Sequence, residues 1–71
     1  MNDIHRKMLD APGHKVKVTF LDGTFPITGK CISYTQALDN EPEIASIDVR
    51  SDGLLYELYE NDIKDIEILS K

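Results

Sequence analysis

Two Asp-Gly pairs, Asp22-Gly23 and Asp52-Gly53, each follow a segment in which apolar and polar residues alternate. Both residue types tolerate the positive φ angles of a tight turn between antiparallel strands. In "HKVKVTFLDG" the side chains of Val16, Val18 and Phe20 would face one way and the intervening polar ones the other way. Such alternation of β-branched and aromatic residues is typical of a half-buried strand. The sequence therefore predicts two antiparallel hairpins.

A short helix is expected before the first strand, over about residues 2–10, because Ile4, Met8 and Leu9 fall on one helical face. The segment Ala11-Pro12-Gly13 would end this helix, since proline resists its continuation and glycine tolerates a helix stop. Two helical turns are marginal on their own, so the helix must pack on the strands.

Further strand segments follow the first hairpin turn. The second strand is expected from Thr24 to Tyr34, with Pro26 at an edge or bulge and Gly29 at a sharp bend or a close backbone contact. After the polar loop "TQALDNEPE", the segment "IASIDV" predicts the third strand. The fourth strand is expected at 56–60, a corner at Asn61-Asp62, and the fifth strand at 66–69.

The predicted fold is mostly β, with a short N-terminal α-helix followed by a five-stranded, strongly bent antiparallel barrel of the SH3-like kind. A chain of 71 residues makes a single domain, 1–71, in which the barrel takes up about 14–70. Five short strands cannot stay flat and enclose a core, and closure would remove the exposed sheet edges. The expected core residues are Val16, Val18, Phe20, Ile27, Ile47, Val49, Leu58, Ile66 and Ile68.

The charge balance restricts the classes of partner. Thirteen acidic residues against eight basic ones give a formal net charge of −5, which argues against a general affinity for phosphate backbones. A single cysteine, Cys31, cannot form an internal disulfide, and no apolar run reaches the length of a membrane span. We expect a soluble cytoplasmic protein in which Cys31 is a small core residue.

The chain resembles the Sm-like (Lsm) family over nearly its whole length. The segments "VKVTFLDG" and "GKCISY" resemble the first Sm motif, with Gly29 at the position of the family glycine, and "LYENDIKDIEIL" resembles the second motif. The resemblance implies an Sm-like barrel that associates by pairing the fourth strand of one subunit with the fifth strand of its neighbour. It also implies a role in RNA-related regulation, through RNA or through a protein partner.

The motifs that bind RNA in that family differ here. The family loop of Asp, two variable residues, an apolar residue and Asn falls on residues 35–39, where only Leu38 fits, and Asn40 stands one step beyond Asp39. The Arg-Gly pair of the second motif falls near Glu60-Asn61, where a carboxylate replaces the cation. Tyr34 takes the apolar or aromatic position before the loop.

The sequence predicts no enzyme, because it contains no constellation of nucleophile, acid, base or metal ligands. His5, His14 and Asp10 could be imagined as a metal site, but exposed surface histidines are the simpler interpretation, and no cofactor is expected. The favoured hypothesis is a module that binds a protein partner or self-assembles, with an oligomer strand formed by Leu54, Leu55 and Tyr59. The alternative is RNA binding, and the candidate RNA or partner contacts are His14, Lys15, Lys17, Tyr34, Leu38, Asp39 and Asn40.

Overall fold

The computed structural model describes residues 3–69 of the chain. Within this range lie one α-helix, five strands and two short 3₁₀ helices, Ala37–Asp39 and Glu60–Asp62. The longer elements are α1 Asp3–Asp10, β1 Lys15–Phe20, β2 Ile27–Thr35, β3 Ser46–Ser51, β4 Leu54–Tyr59 and β5 Ile63–Ile68. The expected mostly-β fold with a short N-terminal helix is confirmed.

The strands of residues 3–69 form one antiparallel sheet in the order β4-β3-β2-β1-β5. The expected closure into a barrel is wrong, because β5 pairs with β1 and has no ladder to β4 in this part of the chain. The 3₁₀ turn Glu60–Asp62 carries the chain from one sheet edge to the other. Its ends are held by hydrogen bonds from Glu60 N–H to the Ala45 carbonyl and from Leu21 N–H to the Asp62 carbonyl. β4 and β5 are therefore the edge strands.

Strand β2 connects the two halves of the sheet. Its first residues, 27–30, pair with β1, whereas residues 30–35 pair with β3 across a bulge between Cys31 and Ser33. Gly29 lies just before this change of partner, and a Cβ atom on it would collide with the carbonyl oxygen of Arg50. The predicted close backbone contact at Gly29 is confirmed. A strand backbone can approach this closely only where no side chain intervenes.

The two Asp-Gly pairs form different connections. Asp52 has φ 50° and Gly53 has φ 79°, and together they make a two-residue hairpin turn between β3 and β4, as expected. Asp22 instead uses Oδ1 to accept hydrogen bonds from the backbone N–H (3.0 Å) and hydroxyl (2.8 Å) of Thr24. β2 begins only at Ile27 and not at Thr24 as expected, because Pro26 has no N–H to donate to a ladder.

The core lies between α1 and the face of the sheet that carries the buried side chains, here called the inner face. Six predicted core residues are buried, namely Val16, Val18, Ile47, Val49, Leu58 and Ile66. Phe20, Ile27 and Ile68 are only half-buried and pack against this cluster from strand ends. The core also contains Met8, Ala11, Cys31, Ala45 and Ile63, which confirms the expectation that Cys31 is a small core residue.

Several predicted boundaries shift in the structure. The expected helix start at residue 2 and the barrel end at residue 70 lie outside the described residues. β4 begins at Leu54 rather than at Tyr56, and Glu60 belongs to the turn. β5 begins at Ile63 rather than at Ile66, because Ile63 pairs with Phe20 beyond a register shift in β1.

Candidate interaction surfaces

The face of the sheet opposite the core, here called the outer face, carries Lys15 and Lys17 of the predicted contact residues. Val16 and Val18 of β1 point into the core, so Lys15 and Lys17 point outward and are exposed. Lys17 lies opposite Glu67 of β5, which places an opposite charge beside it on the same face. His14 precedes β1 and is half-buried, and its carbonyl accepts a 2.9 Å hydrogen bond from Cys31 N–H.

The strand register places three cations side by side on the outer face. Lys15 of β1 lies opposite Lys30 of β2, and Lys30 lies opposite Arg50 of β3. Arg50 in turn lies opposite Leu55 of β4. We call Lys15, Lys30 and Arg50 the cationic row. Adjacent strands lie about 4.8 Å apart, so the backbone positions that carry the row are close neighbours. Lys30 and Arg50 were not among the contact residues predicted from the sequence, because their proximity depends on the register of three strands.

Tyr34 lies at the end of β2, away from the cationic row. It pairs with Ile47 and packs partly against the core. Its ring meets that of His5 in a T-shaped contact, with centroids 6.0 Å apart and planes at 84°. His5 Nδ1 also lies 3.5 Å from Glu60 Oε1, so α1, β2 and the Glu60–Asp62 turn meet here.

An open depression of about 400 Å³ lies beside Tyr34 and is lined by Tyr34, Thr35, Gln36 and Asp39. The amide of Gln36 donates a 2.9 Å hydrogen bond to Asp39 Oδ2 across its floor. Leu38, on the adjoining 3₁₀ helix, is 78% exposed and does not line the depression. The lining carries the Asp39 carboxylate and no cation, which does not suit a phosphate.

Asn40 has a structural role in the loop between β2 and β3. Its Nδ2 donates hydrogen bonds to the Ile44 carbonyl (2.8 Å) and to Ser46 Oγ (2.9 Å). Ser46 Oγ lies 3.4 Å from Glu57 Oε2 on β4 and is fully buried although it belongs to the outer side of β3. The loop therefore folds over this end of the outer face. The side-chain amide of Asn40 stabilises this loop conformation through both hydrogen bonds.

The predicted contact residues do not form one continuous surface. Lys15 and Lys17 lie on the outer face of β1, whereas Tyr34 turns toward the core at the far end of β2. Asp39 joins Tyr34 at the depression, and Asn40 lies under the loop. The structure thus separates a basic surface from an aromatic and acidic one.

The expected oligomer strand coincides with the edge strand β4. Leu54 and Leu55 are 59% and 58% exposed on this edge. Tyr59 is half-buried, and its hydroxyl donates a 3.1 Å hydrogen bond to Glu57 Oε1. That hydrogen bond to a carboxylate raises the pKa of Tyr59 above its ordinary value. β4 thus combines an open backbone edge with exposed leucines.

Other chemical candidates are weak within residues 3–69. Cys31 is fully buried, and burial raises the pKa of its thiol to about 11, so it is not a ready nucleophile. This part of the chain has no group of three or more His, Cys, Asp or Glu residues that could hold a metal ion. None of the helices described in the chain is long and apolar enough to cross a membrane.

Comparisons with protein-family models, with curated proteins and with solved structures find no match to this chain.

Proposed function

We propose that this chain is a non-enzymatic, Sm-like interaction module that assembles with further copies of itself by strand addition between β4 and β5. The observation that carries the proposal is the sheet order, which leaves these two strands at opposite edges in the described chain. An edge strand offers unpaired N–H and C=O groups to another strand. Joining the β4 edge of one copy to the β5 edge of the next satisfies both.

The side chains of the two edges are compatible with such a junction. β4 directs Tyr56 and Leu58 toward the core, and β5 directs Ile63 and Ile66 toward the same core. A register that aligns these residues would join the cores of two copies into one apolar layer. Repeating this contact head to tail gives a closed ring when the rotation between copies closes.

Three features favour an Sm-like interpretation of the module. The chain has a helix followed by strands in the order that the resemblance implies. Gly29 makes the close backbone contact expected of a sharply bent second strand. A single 3₁₀ turn, Glu60–Asp62, separates the last two strands, as in the expected short corner.

A protein partner is favoured over RNA. The net charge of −5 opposes binding to phosphates, and Asn40 uses its amide N–H groups within its own loop. A carboxylate, Glu60, stands near the position where the family motif has a cation. We therefore place the binding activity in protein contacts, with RNA binding as the alternative to be tested.

The test is light scattering on the purified full chain across a dilution series. The double variant Leu54→Lys with Leu55→Lys should dissociate at concentrations where the native chain is assembled, because edge lysines oppose strand addition. The matched control is Leu21→Lys with Phe25→Lys, since both of these residues are also strongly exposed but lie in the loop before β2. The control variant should assemble like the native chain.

A native chain that stays monomeric at high micromolar concentration would contradict self-assembly. Assembly of the Leu54→Lys with Leu55→Lys variant at the same concentrations as the native chain would show that assembly does not use the β4 edge. Filter binding with single-stranded RNA in low and high salt tests the alternative. A tight complex with a steep salt dependence would favour RNA over a protein partner.

A further inference from the structure

The cationic row places like charges directly opposite one another. Lys30 has a cation opposite it on both sides, Lys15 on β1 and Arg50 on β3. Like charges in directly opposed positions destabilise a sheet. All three side chains are exposed, so solvent moderates the repulsion without reversing its sign.

Acidic residues in the described part of the chain do not neutralise the centre of the row. Neither Lys30 nor Arg50 forms a salt bridge with another residue of 3–69. Asp48, on the same face of β3, lies within 3.3 Å of Ser33 Oγ through Oδ2. The protein as a whole is acidic, so this concentration of positive charge is a local feature.

Exposed apolar side chains border the same row. Leu55 is the direct cross-strand neighbour of Arg50. Ile32 lies in the β2 bulge next to the inward-facing Cys31, and its 45% exposure places its side chain on the outer face. The surface therefore offers both positive charge and apolar area to one ligand.

We propose that the cationic row, with Leu55 and Ile32, binds an acidic and partly apolar peptide segment of a protein partner. Same-face side chains of an extended peptide repeat about every 6.7 Å, a step that flexible Lys and Arg side chains can follow. Glutamates would pair with Lys30 and Arg50 while leucines cover Leu55 and Ile32. A nucleic-acid backbone would satisfy only the cations and would leave Leu55 and Ile32 uncovered.

This binding site goes beyond the proposed assembly, and Leu55 is the residue that both proposals use. Strand addition uses the backbone edges of β4 and β5, whereas the row lies on the outer face of the middle strands. A ring of copies would leave the outer face accessible. Failure of peptide binding and failure of self-assembly can thus be observed separately.

The experiment is an NMR chemical-shift titration of the full ¹⁵N-labelled chain. The first probe is a short peptide in which glutamate and leucine alternate, and the second is the same peptide with serine in place of leucine. A single-stranded DNA oligonucleotide of equal charge is the third probe. The test variant is Lys30→Gln with Arg50→Gln, and the control is Lys64→Gln, which removes an exposed cation of β5 outside the row.

The glutamate-leucine peptide should shift the amide signals of Lys30, Ile32, Arg50 and Leu55. The double variant should weaken its binding about five- to tenfold, since exposed charge pairs each contribute modestly. The control should bind within about twofold of the native chain. The glutamate-serine peptide should bind more weakly than the leucine peptide because it lacks apolar contacts.

Four outcomes would overturn the proposal. They are no binding of the leucine peptide, equal binding by the native chain and the double variant, tighter binding of the oligonucleotide than of the peptide, and shifts centred on the edge strands instead of the row. The double variant removes like-charge repulsion and should fold at least as well as the native chain. A normal amide spectrum of that variant excludes unfolding as the cause of lost binding.

Discussion

The inner and outer faces of this sheet satisfy opposite requirements. On the inner face, Val16, Val18, Ile47 and Val49 are completely buried, and Gly29 touches the Arg50 backbone so closely that no side chain fits. On the outer face, the same strands carry exposed like charges in register. The inner face contributes most of the stability, whereas the like charges of the outer face reduce it slightly and are exposed to solvent.

The difference between the two faces indicates at which positions substitutions should change stability. Inner-face positions are restricted by packing, because a small change of volume leaves a cavity or a collision in a close-packed interior. Outer-face positions would be restricted by the peptide binding that we propose. Neighbouring residues of one strand should therefore respond very differently to comparable substitutions.

The largest effect is expected at Gly29. A valine side chain there would collide with the carbonyl of Arg50, so the β2–β3 pairing must separate. We expect Gly29→Val to cost about 3 kcal/mol or more, which would unfold much of a small domain. Urea denaturation measures the loss. The adjacent outward-facing control, Thr28→Val, should stay within about 0.5 kcal/mol of the native chain.

A second contrast compares two isoleucines on opposite faces. Ile66 is buried and Ile32 is exposed. Ile66→Ala should reduce the free energy of unfolding by about 2–5 kcal/mol through the cavity it leaves, and Leu58→Ala should act in the same direction. Ile32→Ala should change it by less than about 1 kcal/mol. Thermal melts that are unchanged for both Ile66→Ala and Leu58→Ala would refute the assigned core.

Cys31 makes the inner face sensitive to high pH. Burial raises its thiol pKa from 9.0 to about 11, so above pH 9 the unfolded chain loses a proton that the folded chain retains. Stability should therefore fall as the pH rises from 9 to 11, by up to about 2–3 kcal/mol from this group. Comparing the pH dependence of urea denaturation for the native chain and for Cys31→Ala isolates the contribution. Identical slopes would show that the thiol ionises freely in the folded chain.

The substitution with the smallest expected effect should increase stability instead of reducing it. Lys30→Gln removes a charge that faces Lys15 on one side and Arg50 on the other. We expect the free energy of unfolding to rise by a few tenths of a kcal/mol, up to about 1 kcal/mol. Lys64→Gln is the control, and measurements at low and high salt should show that the gain shrinks as salt increases. A loss of stability in Lys30→Gln would mean that the row is already neutralised.

The local patterns of the sequence were sufficient for the strands and most of the core. The alternation around Val16 and Val18 predicts the inner face of β1, and Gly29 predicts a close backbone contact. The Asp52-Gly53 turn also follows from residue type, because both positions adopt positive φ. These features depend on interactions between residues that are close in the chain or on one special residue.

The registers and the closure of the sheet depend on information that local patterns lack. The bulge between Cys31 and Ser33 determines which β3 residues face the β2 cations, and no residue type marks it. Barrel closure was expected because it would pair the backbone groups of the edge strands. The turn at Glu60–Asp62 instead leads into β5, which pairs with β1. Asn40 was assigned to ligand binding by its position, but its amide meets Ser46, a contact set by loop folding.

The central claim is that the two edge strands pair between copies. Hydrogen exchange followed by mass spectrometry, at low and at high micromolar concentrations of the native chain, tests it most directly. We expect amide protection of β4 and β5 to rise together with concentration, while that of β2, which has neighbours on both sides, stays constant. Protection that is independent of concentration in both edge strands, or that rises in only one of them, would contradict assembly through a β4–β5 junction.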